Sequence, residues 1–312
     1  MQVFMIRYYN YVNGRMLPSD DRTDGCWIDV ISPTPQEIEL LIEDIGIDSG
    51  FVKSSLDEEE SSRIEREDDQ TLIIIDTPVS STDKDDTKMF FTMPIGIVIT
   101  EKNVITISLQ EAQIIDDAVR GTIRNLRPEF KTRFVLQLLL RIAALFLYYL
   151  KQIDKISSTA EQQLHNAMKN ELLMQLLALE KSLVYFSTSL KANEATIEKI
   201  FRGRVMKLYD EDQDLLEDVL IEMKQAIEMS SIYSGILSSM TEGFSSVISN
   251  NLNIVMWRLT IVTILMEIPN IIFAFYGINT VDLPLPFTWF PISLAVFITL
   301  AAAVILLKWK KK

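Results

Sequence analysis

The sequence predicts an α+β cytoplasmic domain, followed by a long stalk helix and a two-helix transmembrane hairpin. Short apolar segments separated by turn residues fill the first third of the 312-residue chain. No proline occurs between Pro128 and Pro269, which allows long helices there. Two apolar segments near the C-terminus each reach the length of about 20 residues that crosses a bilayer. We therefore expect a cytoplasmic α/β domain over residues 1–125, a cytoplasmic helical region over 126–252 and a transmembrane domain over 253–312.

The first domain contains strand patterns and one strong helix start. Thr34-Pro35-Gln36-Glu37 has the sequence of a capping box, with proline at the first helical position, and Gly46 is placed to end that helix. The predicted strands are Trp27–Ile31, Thr71–Ile75 and the pair Met89–Thr100 and Asn103–Leu109. Ser80–Thr87, which lies between the strands Thr71–Ile75 and Met89–Thr100, is a polar, aspartate-rich segment that we interpret as a turn.

The middle of the chain is predicted to be helical. Leu172, Leu176, Leu179 and Leu183 fall on one helix face. The stretch that begins at Arg204 continues without a helix breaker into the first apolar span. A helix of about 75 residues would be about 110 Å long and would need neighbouring helices or other copies of the chain to stabilise it.

The two apolar spans are predicted as helix one, about 254–277, and helix two, about 285–307. Lys308, Lys310, Lys311 and Lys312 follow the second span, so the positive-inside rule predicts a cytoplasmic tail. The connection is too short to cross the membrane again, which gives a hairpin with both termini in the cytoplasm of a cell-membrane protein.

The charge distribution limits the function. Residues 253–312 contain five basic and two acidic residues, so their net charge is +3. Because the net charge of the whole chain is −13, residues 1–252 carry a net charge of −16. Such an acidic soluble part argues against nucleic-acid binding and favours cations as partners. Cys26 and His165 are the single cysteine and histidine, which excludes a Cys/His zinc cage within one chain. No P-loop, nucleophile elbow or HExxH motif is present, so we expect no enzyme.

Tyr276-Gly277-Ile278-Asn279 closes the first span. This sequence resembles the CorA-like magnesium transporters, whose first transmembrane helix ends in Tyr-Gly-Met-Asn. The stretch Asn250–Met256 is similar to the polar entry of that family into the membrane, and Glu267–Asn270 and Asp57–Leu72 resemble further segments. The resemblance covers the whole chain and its order of parts.

The resemblance implies a homopentamer in which the first helices line a pore and Gly277, Ile278 and Asn279 form its selectivity filter. Mg²⁺ gives up its water reluctantly, so carbonyl oxygens suit the hydrated ion. Gly and Asn also favour a simple helix stop, which is the alternative interpretation. Isoleucine in place of methionine also occurs in ZntB-like zinc transporters. Mg²⁺ is therefore the first candidate ion, with Zn²⁺ or Co²⁺ as alternatives.

Helical spacing places a set of residues on one face of the first span, which we call the candidate pore face: Asn253, Met256, Thr260, Ile264 and Glu267. The resemblance implies that Asn253 is the inner pore asparagine. A carboxylate in mid-span is costly, so Glu267 is either a cation or proton site in the pore or a hydrogen-bonded structural residue beside Pro269.

An acidic run on the stalk helix offers a candidate regulatory metal site. By its distance from Asn253, Asp218 falls where the family has a carboxylate of an intersubunit Mg²⁺ site, and Asp83, Asp85 or Asp86 of the polar turn would supply the partner. A divalent ion would bridge the facing carboxylates. The alternative is an ordinary solvated charged face.

Together these features predict a channel or transporter for divalent cations, with Mg²⁺ influx driven by the membrane potential and gated by cytoplasmic cation binding. Two alternatives remain open. One is a ZntB-like transporter of zinc or another transition metal, which could be coupled to protons. The other is a membrane-anchored coiled-coil sensor without transport, although the polar residues in the span argue against it.

Overall fold

The structure, a computed structural model, describes residues 6–82, 88–164, 170–202, 208–277, 287 and 289–309. Its contacts divide the chain into two compact units, Met1–Thr241 and Glu242–Lys312. The first unit contains a sheet covered by helices. The second contains the end of one long helix and the last helix of the chain.

In the described residues, one seven-stranded sheet has the order β2-β1-β3-β7-β6-β5-β4. Neighbouring strands are antiparallel except β3 and β7, which are parallel. The strands are β1 Ile6–Val12, β2 Arg15–Ser19, β3 Trp27–Ile31, β4 Arg63–Glu67, β5 Gln70–Thr82, β6 Lys88–Ile99 and β7 Val104–Ser108. The helices are α1 Pro35–Glu43, α2 Ser49–Ser55, α3 Gln113–Val119, α4 Lys131–Leu164, α5 Asn170–Phe201, α6 Asp210–Tyr276 and α7 Phe290–Trp309.

One face of the sheet packs against α1 and α2 through a buried apolar cluster. The predicted capping box starts α1: the backbone N–H of Thr34 donates to Glu37 Oε2 at 2.8 Å, and that of Glu37 donates to Thr34 Oγ1 at 3.3 Å. Gly96 of β6 lets α2 approach closely, since a Cβ there would lie 1.9 Å from Ser55 Oγ. This half of the fold confirms the sequence prediction for the first helix.

The other face of the sheet carries a buried hydrogen-bonded chain beneath α4. The centres of the Trp27 indole ring and the Phe134 phenyl ring lie 5.7 Å apart. The indole Nε1 of Trp27 donates to Thr106 Oγ1 at 2.9 Å. Thr106 in turn donates to Asp29 Oδ1 at 2.8 Å. Asp29 is completely buried, and this burial raises the pKa of its carboxyl group to about 7.

Helix α5 is fixed to the sheet by polar side chains as well as by its buried leucines. Asn193, fully buried, accepts from Ser62 Oγ and from the backbone N–H of Asp76 at 2.7 and 2.9 Å, and donates to the carbonyl of Asp76 at 2.9 Å. The Oγ atoms of Thr92 and Ser189 lie 2.7 Å apart. The predicted leucine face of α5 is confirmed, because all four leucines are buried.

The strand pair β5–β6 is longer than the sequence pattern suggested. β5 continues to Thr82 and pairs with β6 from Thr71↔Ile99 to Thr82↔Lys88. The predicted turn Ser80–Thr87 is therefore wrong at its start, because cross-strand pairing extends the strand through polar residues. Residues 83–87, with Asp83, Asp85 and Asp86, lie outside the described residues.

The long helix α6 is continuous over 67 residues, with Pro269 inside it. It begins at Asp210, after two residues, Leu208 and Tyr209, that are not helical, while the predicted start at Arg204 lies outside the described residues. The division between the two compact units falls within this helix, after Thr241.

The buried acid Asp29 should make the stability of the protein depend on pH. Its pKa of about 7 in the folded state lies above the ordinary value of 3.8 for an aspartate, so the folded state retains a proton that the unfolded chain releases. The stabilisation is complete below about pH 4 and is lost as pH rises to about 7. We expect Asp29→Asn to remove this dependence. The unfolding free energy of the variant, relative to that of the wild type, should therefore be higher at pH 8 than at pH 4 by up to about 4 kcal/mol.

Denaturant midpoints followed by tryptophan fluorescence at pH 4, 6 and 8 would measure the effect. The exposed Asp20 provides the matched control, and Asp20→Asn should keep the wild-type profile. An unchanged pH profile in Asp29→Asn would contradict the assignment.

Candidate functional site: the membrane hairpin and the acidic stalk

Two described helices are long and apolar enough to cross a membrane, but they differ in burial. In α4, 67% of the most apolar stretch is buried inside the first unit. In α6, none of the corresponding stretch is buried. The last described helix, α7, has a shorter apolar stretch, Phe290–Leu306. The uncovered apolar surface of the second unit thus lies on α6 and α7, as expected for a transmembrane hairpin.

Within the second unit, α6 and α7 share one contact face. The rings of Tyr276 and Phe290 lie 6.2 Å apart at one end. From there a stripe of half-buried side chains, together with the buried Ala295, runs along each helix, mostly at spacings of three and four residues. The stripe consists of Ile254, Trp257, Ile261, Leu265, Ile268, Ile272 and Tyr276 on α6, and Leu294, Ala295, Thr299, Ala302, Ala303 and Leu306 on α7.

The candidate pore face lies on another side of α6. All five of its residues, Asn253, Met256, Thr260, Ile264 and Glu267, are exposed, and none belongs to the stripe that faces α7. Asn253, Thr260 and Glu267 follow one another at intervals of seven residues, so their oxygen atoms lie along one line of the helix. The chain therefore presents a row of oxygen-bearing side chains on the mostly apolar part of α6.

Local hydrogen bonds orient two of these side chains. Thr260 Oγ1 donates to the carbonyl of Met256 at 2.9 Å, which leaves its lone pairs directed away from that carbonyl. Asn270 Nδ2 donates to Glu267 Oε2 at 3.2 Å, one turn further along α6. The sequence prediction identified Glu267 but missed Asn270 as its partner, although a spacing of three residues on a helix is a usable signal.

At the predicted filter, the structure describes only its first residue. Gly277 follows the last residue of α6, and its N–H donates to the carbonyls of Phe273 at 2.9 Å and Ala274 at 3.2 Å. A Cβ at this position would lie 3.2 Å from the carbonyl oxygen of Phe273, which is a tight contact. Ile278 and Asn279 lie outside the described residues, so the filter remains a prediction.

The acidic run at the start of α6 divides into two groups. Asp212 is buried and accepts from Arg133 Nε at 3.2 Å, while Glu211 pairs with Arg133 Nη2 at 3.3 Å. Asp214, Glu217 and Asp218 are exposed. The sequence did not reveal the partnership of Asp212 with Arg133, because the two residues are far apart in the chain.

The described residues contain no group of three or more Cys, His, Asp or Glu side chains that could hold a metal ion. Asp218 therefore gathers no metal cluster from the described part of its own chain. The proposed partners Asp83, Asp85 and Asp86 are not described. A site at Asp218 would need ligands from those residues or from another copy of the chain.

Comparisons with known proteins agree over nearly the whole chain. The family described as CorA-like Mg²⁺ transporter protein matches residues 23–312. The cobalt/magnesium transport protein CorA of Methanocaldococcus jannaschii is 29% identical over 268 residues, which cover 83% of this chain and 81% of that protein.

Solved structures show the same architecture. The complete structure of the CorA magnesium transporter from Methanocaldococcus jannaschii superposes with a TM-score of 0.77 at 25% identity, covering 100% of this chain and 99% of that one. The ZntB cytoplasmic domain from Vibrio parahaemolyticus superposes with a TM-score of 0.60 at 13% identity, covering 80% and 98%, and shares the fold. The predicted fold class is confirmed, and the chain belongs to the CorA-like Mg²⁺ transporter family, whose members are divalent-cation transporters of the membrane.

Proposed function

We propose that this chain forms a homopentameric channel that conducts hydrated Mg²⁺ into the cell. The observation that carries the proposal is the exposed row of oxygen-bearing side chains, Asn253, Thr260 and Glu267, on the mostly apolar part of α6 that belongs to the second unit. Family membership supports the ion class, and the name of the archaeal relative supports Mg²⁺ and Co²⁺ as candidate ions.

The oxygen row has to face protein or water. A carboxylate in contact with the hydrocarbon core costs several kcal/mol, so such residues line cavities or subunit contacts. The face towards α7 is already occupied by apolar side chains. The family resemblance implies a pentamer. In such an assembly, five copies of α6 would turn this row towards a common axis and enclose a pore.

The filter would consist of Gly277, Ile278 and Asn279 at the end of this pore. Mg²⁺ binds its water tightly, so oxygen dipoles that contact the hydrated ion can select it without removing the shell. The tight contact that a Cβ at Gly277 would make with the carbonyl oxygen of Phe273, at 3.2 Å, favours glycine at this position. A membrane potential of 100 mV would favour entry by about 2.3 kcal/mol per elementary charge.

The lysine tail, from Lys308 to Lys312, supports a cytoplasmic location of both termini in the cell membrane. The acidic first unit would then lie on the side where Mg²⁺ accumulates. Asp218, exposed on α6, would join an aspartate from residues 83–86 of a neighbouring subunit to bind a regulatory cation. Ion binding there would hold the subunits together and keep the pore closed, which couples the two sites.

A ZntB-like transport of Zn²⁺, coupled to protons, is the second candidate function. Ile278 and Glu267 favour it, since a carboxylate within the span can carry a proton. The chain has a single cysteine and a single histidine, so such a pathway would rely on oxygen ligands.

The filter is tested by ion flux into proteoliposomes held at a negative-inside potential. Wild-type protein should admit Mg²⁺, and Asn279→Ala should lower the rate at least tenfold, because each subunit loses its filter carbonyl. Thr188→Ala, an exposed substitution on α5, is the control and should conduct like the wild type. Full Mg²⁺ flux in a pentameric Asn279→Ala protein would refute the assignment of the filter. Absence of flux in the folded wild type would favour the alternative function of a membrane-anchored sensor without transport.

Glu267 distinguishes the two candidate ions. Under the Mg²⁺ proposal, Glu267→Gln should slow Mg²⁺ entry several-fold, since the isosteric amide keeps its size but loses the charge, and a pH gradient should have no effect. The measurement compares Mg²⁺ and Zn²⁺ uptake with and without an imposed pH gradient. Zn²⁺ uptake that follows the gradient and disappears in Glu267→Gln would transfer the assignment to the zinc transporter.

Asp218 and Asp212 provide a matched pair for the regulatory site. Asp218→Asn should raise, several-fold, the Mg²⁺ concentration that inhibits flux, with little change in stability because Asp218 is exposed. Asp212→Asn should lower the unfolding free energy by about 1–2 kcal/mol and leave the inhibition unchanged, because it weakens the ion pair with the partly exposed Arg133. Equal inhibition of wild type and Asp218→Asn would identify the acidic run as a solvated surface.

A further inference from the structure

Arg7 and Asp29 lie directly opposite each other on neighbouring strands of the sheet. The antiparallel register of β1 and β3 pairs Arg7 with Asp29 and also pairs Tyr9 with Trp27. The rings of Tyr9 and Trp27 are stacked with their centres 5.0 Å apart, so the side chains of both pairs share one face of the sheet. Opposite Cβ atoms in such a pair are about 5 Å apart, which is well within the reach of an arginine side chain.

The carboxyl group of Asp29 has a hydrogen-bond partner for only one of its two oxygens. Oδ1 accepts from Thr106 Oγ1 at 2.8 Å, whereas Oδ2 is buried and has no hydrogen-bond partner among the described residues. A protonated carboxyl group tolerates this arrangement, but a buried carboxylate needs a donor for its second oxygen, and a cation serves best. Asp29 therefore requires one further partner only after it has lost its proton.

In the structure, the guanidinium of Arg7 is paired with a different acid. Its Nη2 lies 3.8 Å from Oε1 of Glu111, which follows β7 and precedes α3. This distance exceeds the roughly 2.8 Å of a charge-assisted hydrogen bond, and the two side chains are 38% and 76% exposed. A long ion pair that is screened by solvent contributes little to stability, so Arg7 can leave Glu111 easily.

The charges around Asp29 identify Arg7 as its partner. Arg7 on β1 favours the ionised form of Asp29, while Glu111 and Asp116, which precede and belong to α3, oppose it. Tyr9 interacts with Arg7, and burial raises the pKa of its hydroxyl, so Tyr9 stays neutral at physiological pH.

Helix α4, which covers this face of the sheet, begins with three basic residues that are engaged elsewhere. They bind carbonyl oxygens or form ion pairs: Lys131 with Thr100 and Glu101, Arg133 with Glu211 and Asp212, and Arg141 with Asp117. Arg7 is thus the cation that is both close to Asp29 and weakly held.

We propose that Asp29, Arg7 and Glu111 form a proton-controlled ion-pair switch in the first unit. While the Asp29 carboxyl is protonated, Arg7 pairs with Glu111, as in this structure. When Asp29 releases its proton to water, the Arg7 guanidinium turns to Asp29 Oδ2 and leaves Glu111 without its partner. The switch links the sheet to the start of α3 and does not depend on which ion the protein conducts.

The exchange takes place around neutral pH. Burial raises the pKa of Asp29 to about 7, so the protonated form dominates below that pH and the ionised form above it. The Arg7–Glu111 pair is therefore the low-pH state, and the Arg7–Asp29 pair is the high-pH state.

The ionisation of Asp29 is measured by infrared spectroscopy on the full-length protein in detergent, as the carboxylic-acid carbonyl band that Asp29→Asn removes. Arg7→Gln should raise the midpoint of this band by about one pH unit or more, because the ionised Asp29 loses its partner. Arg7→Lys, which keeps the charge, should stay close to the wild type. Glu111→Gln should lower the midpoint, since Arg7 is then free to pair with Asp29. Arg15→Gln, which removes an exposed arginine from β2, is the matched control.

The exchange of partners is measured separately, by hydrogen exchange of the backbone amides of α3 with rates corrected for the intrinsic effect of pH. Glu111 is tied to β1 only while it pairs with Arg7, so the first turn of α3 should exchange several-fold faster at pH 8 than at pH 6 in the wild type. Asp29→Asn should exchange slowly at both pH values, and Arg7→Gln should exchange fast at both.

An Asp29 midpoint that is unchanged in Arg7→Gln would overturn the proposal, because the guanidinium would then not reach Asp29. A shifted midpoint combined with α3 exchange that is independent of pH would also overturn it, since Arg7 would act on Asp29 without leaving Glu111. If Arg7→Gln does not fold, Glu111→Gln, at an exposed position, decides instead. A wild-type midpoint in Glu111→Gln would then contradict the switch.

Discussion

Apolar surface has to be covered, and the two long apolar helices of this protein differ in what covers them. Helix α4 has the length and composition of a membrane span, yet most of its apolar stretch is buried against the sheet and its neighbouring helices. The equivalent stretch of α6 has no such cover. Exposed side chains such as Leu259 and Met266 therefore require lipid or other copies of the chain. Hydropathy alone does not distinguish the two helices, whereas the presence of a sheet beside α4 does.

The same constraint explains why the membrane unit consists of helices. Backbone groups in the hydrocarbon core find no water, so each must be bonded within its own segment. Pro269, which lies within α6 two turns before its end, has no backbone N–H to donate, and the helix still continues to Tyr276. Polar side chains nearby, Glu267 and Asn270, bond to each other at 3.2 Å instead of remaining isolated in an apolar span.

The sequence predicted those features that depend on local pattern. The capping box at Thr34 and the leucine face of α5 follow from spacings of three or four residues, and the structure contains both. The continuity of α6 from the stalk into the span follows from the absence of a helix breaker before Pro269, and the structure contains it as well. Gly277 was predictable in the same way, since a family motif and a helix end coincide there.

Features that depend on pairing between distant segments were not predictable from the sequence. The extension of β5 to Thr82 requires β6 as its partner, because the residues at its end are polar and suggested a turn. The burial of Asp212 depends on Arg133, 79 residues away. The buried Asp29 depends on Thr106 of a parallel strand, 77 residues away. Polar residues that are buried by tertiary contacts give no periodic signal of their own, so the sequence alone does not distinguish them from surface residues.

The hydrogen bond between Asn270 and Glu267 bears on how a carboxylate can serve in the proposed pore. Five such groups around one axis would repel one another strongly and would hold a bare divalent cation tightly. Conduction requires sites from which an ion can leave again. The amide of Asn270 donates to one oxygen of Glu267, so part of the negative charge is already satisfied by protein. A hydrated ion would then contact the remaining oxygen through its water, which weakens the attraction enough for release. The pair therefore suits an attractive but transient site better than either residue would alone.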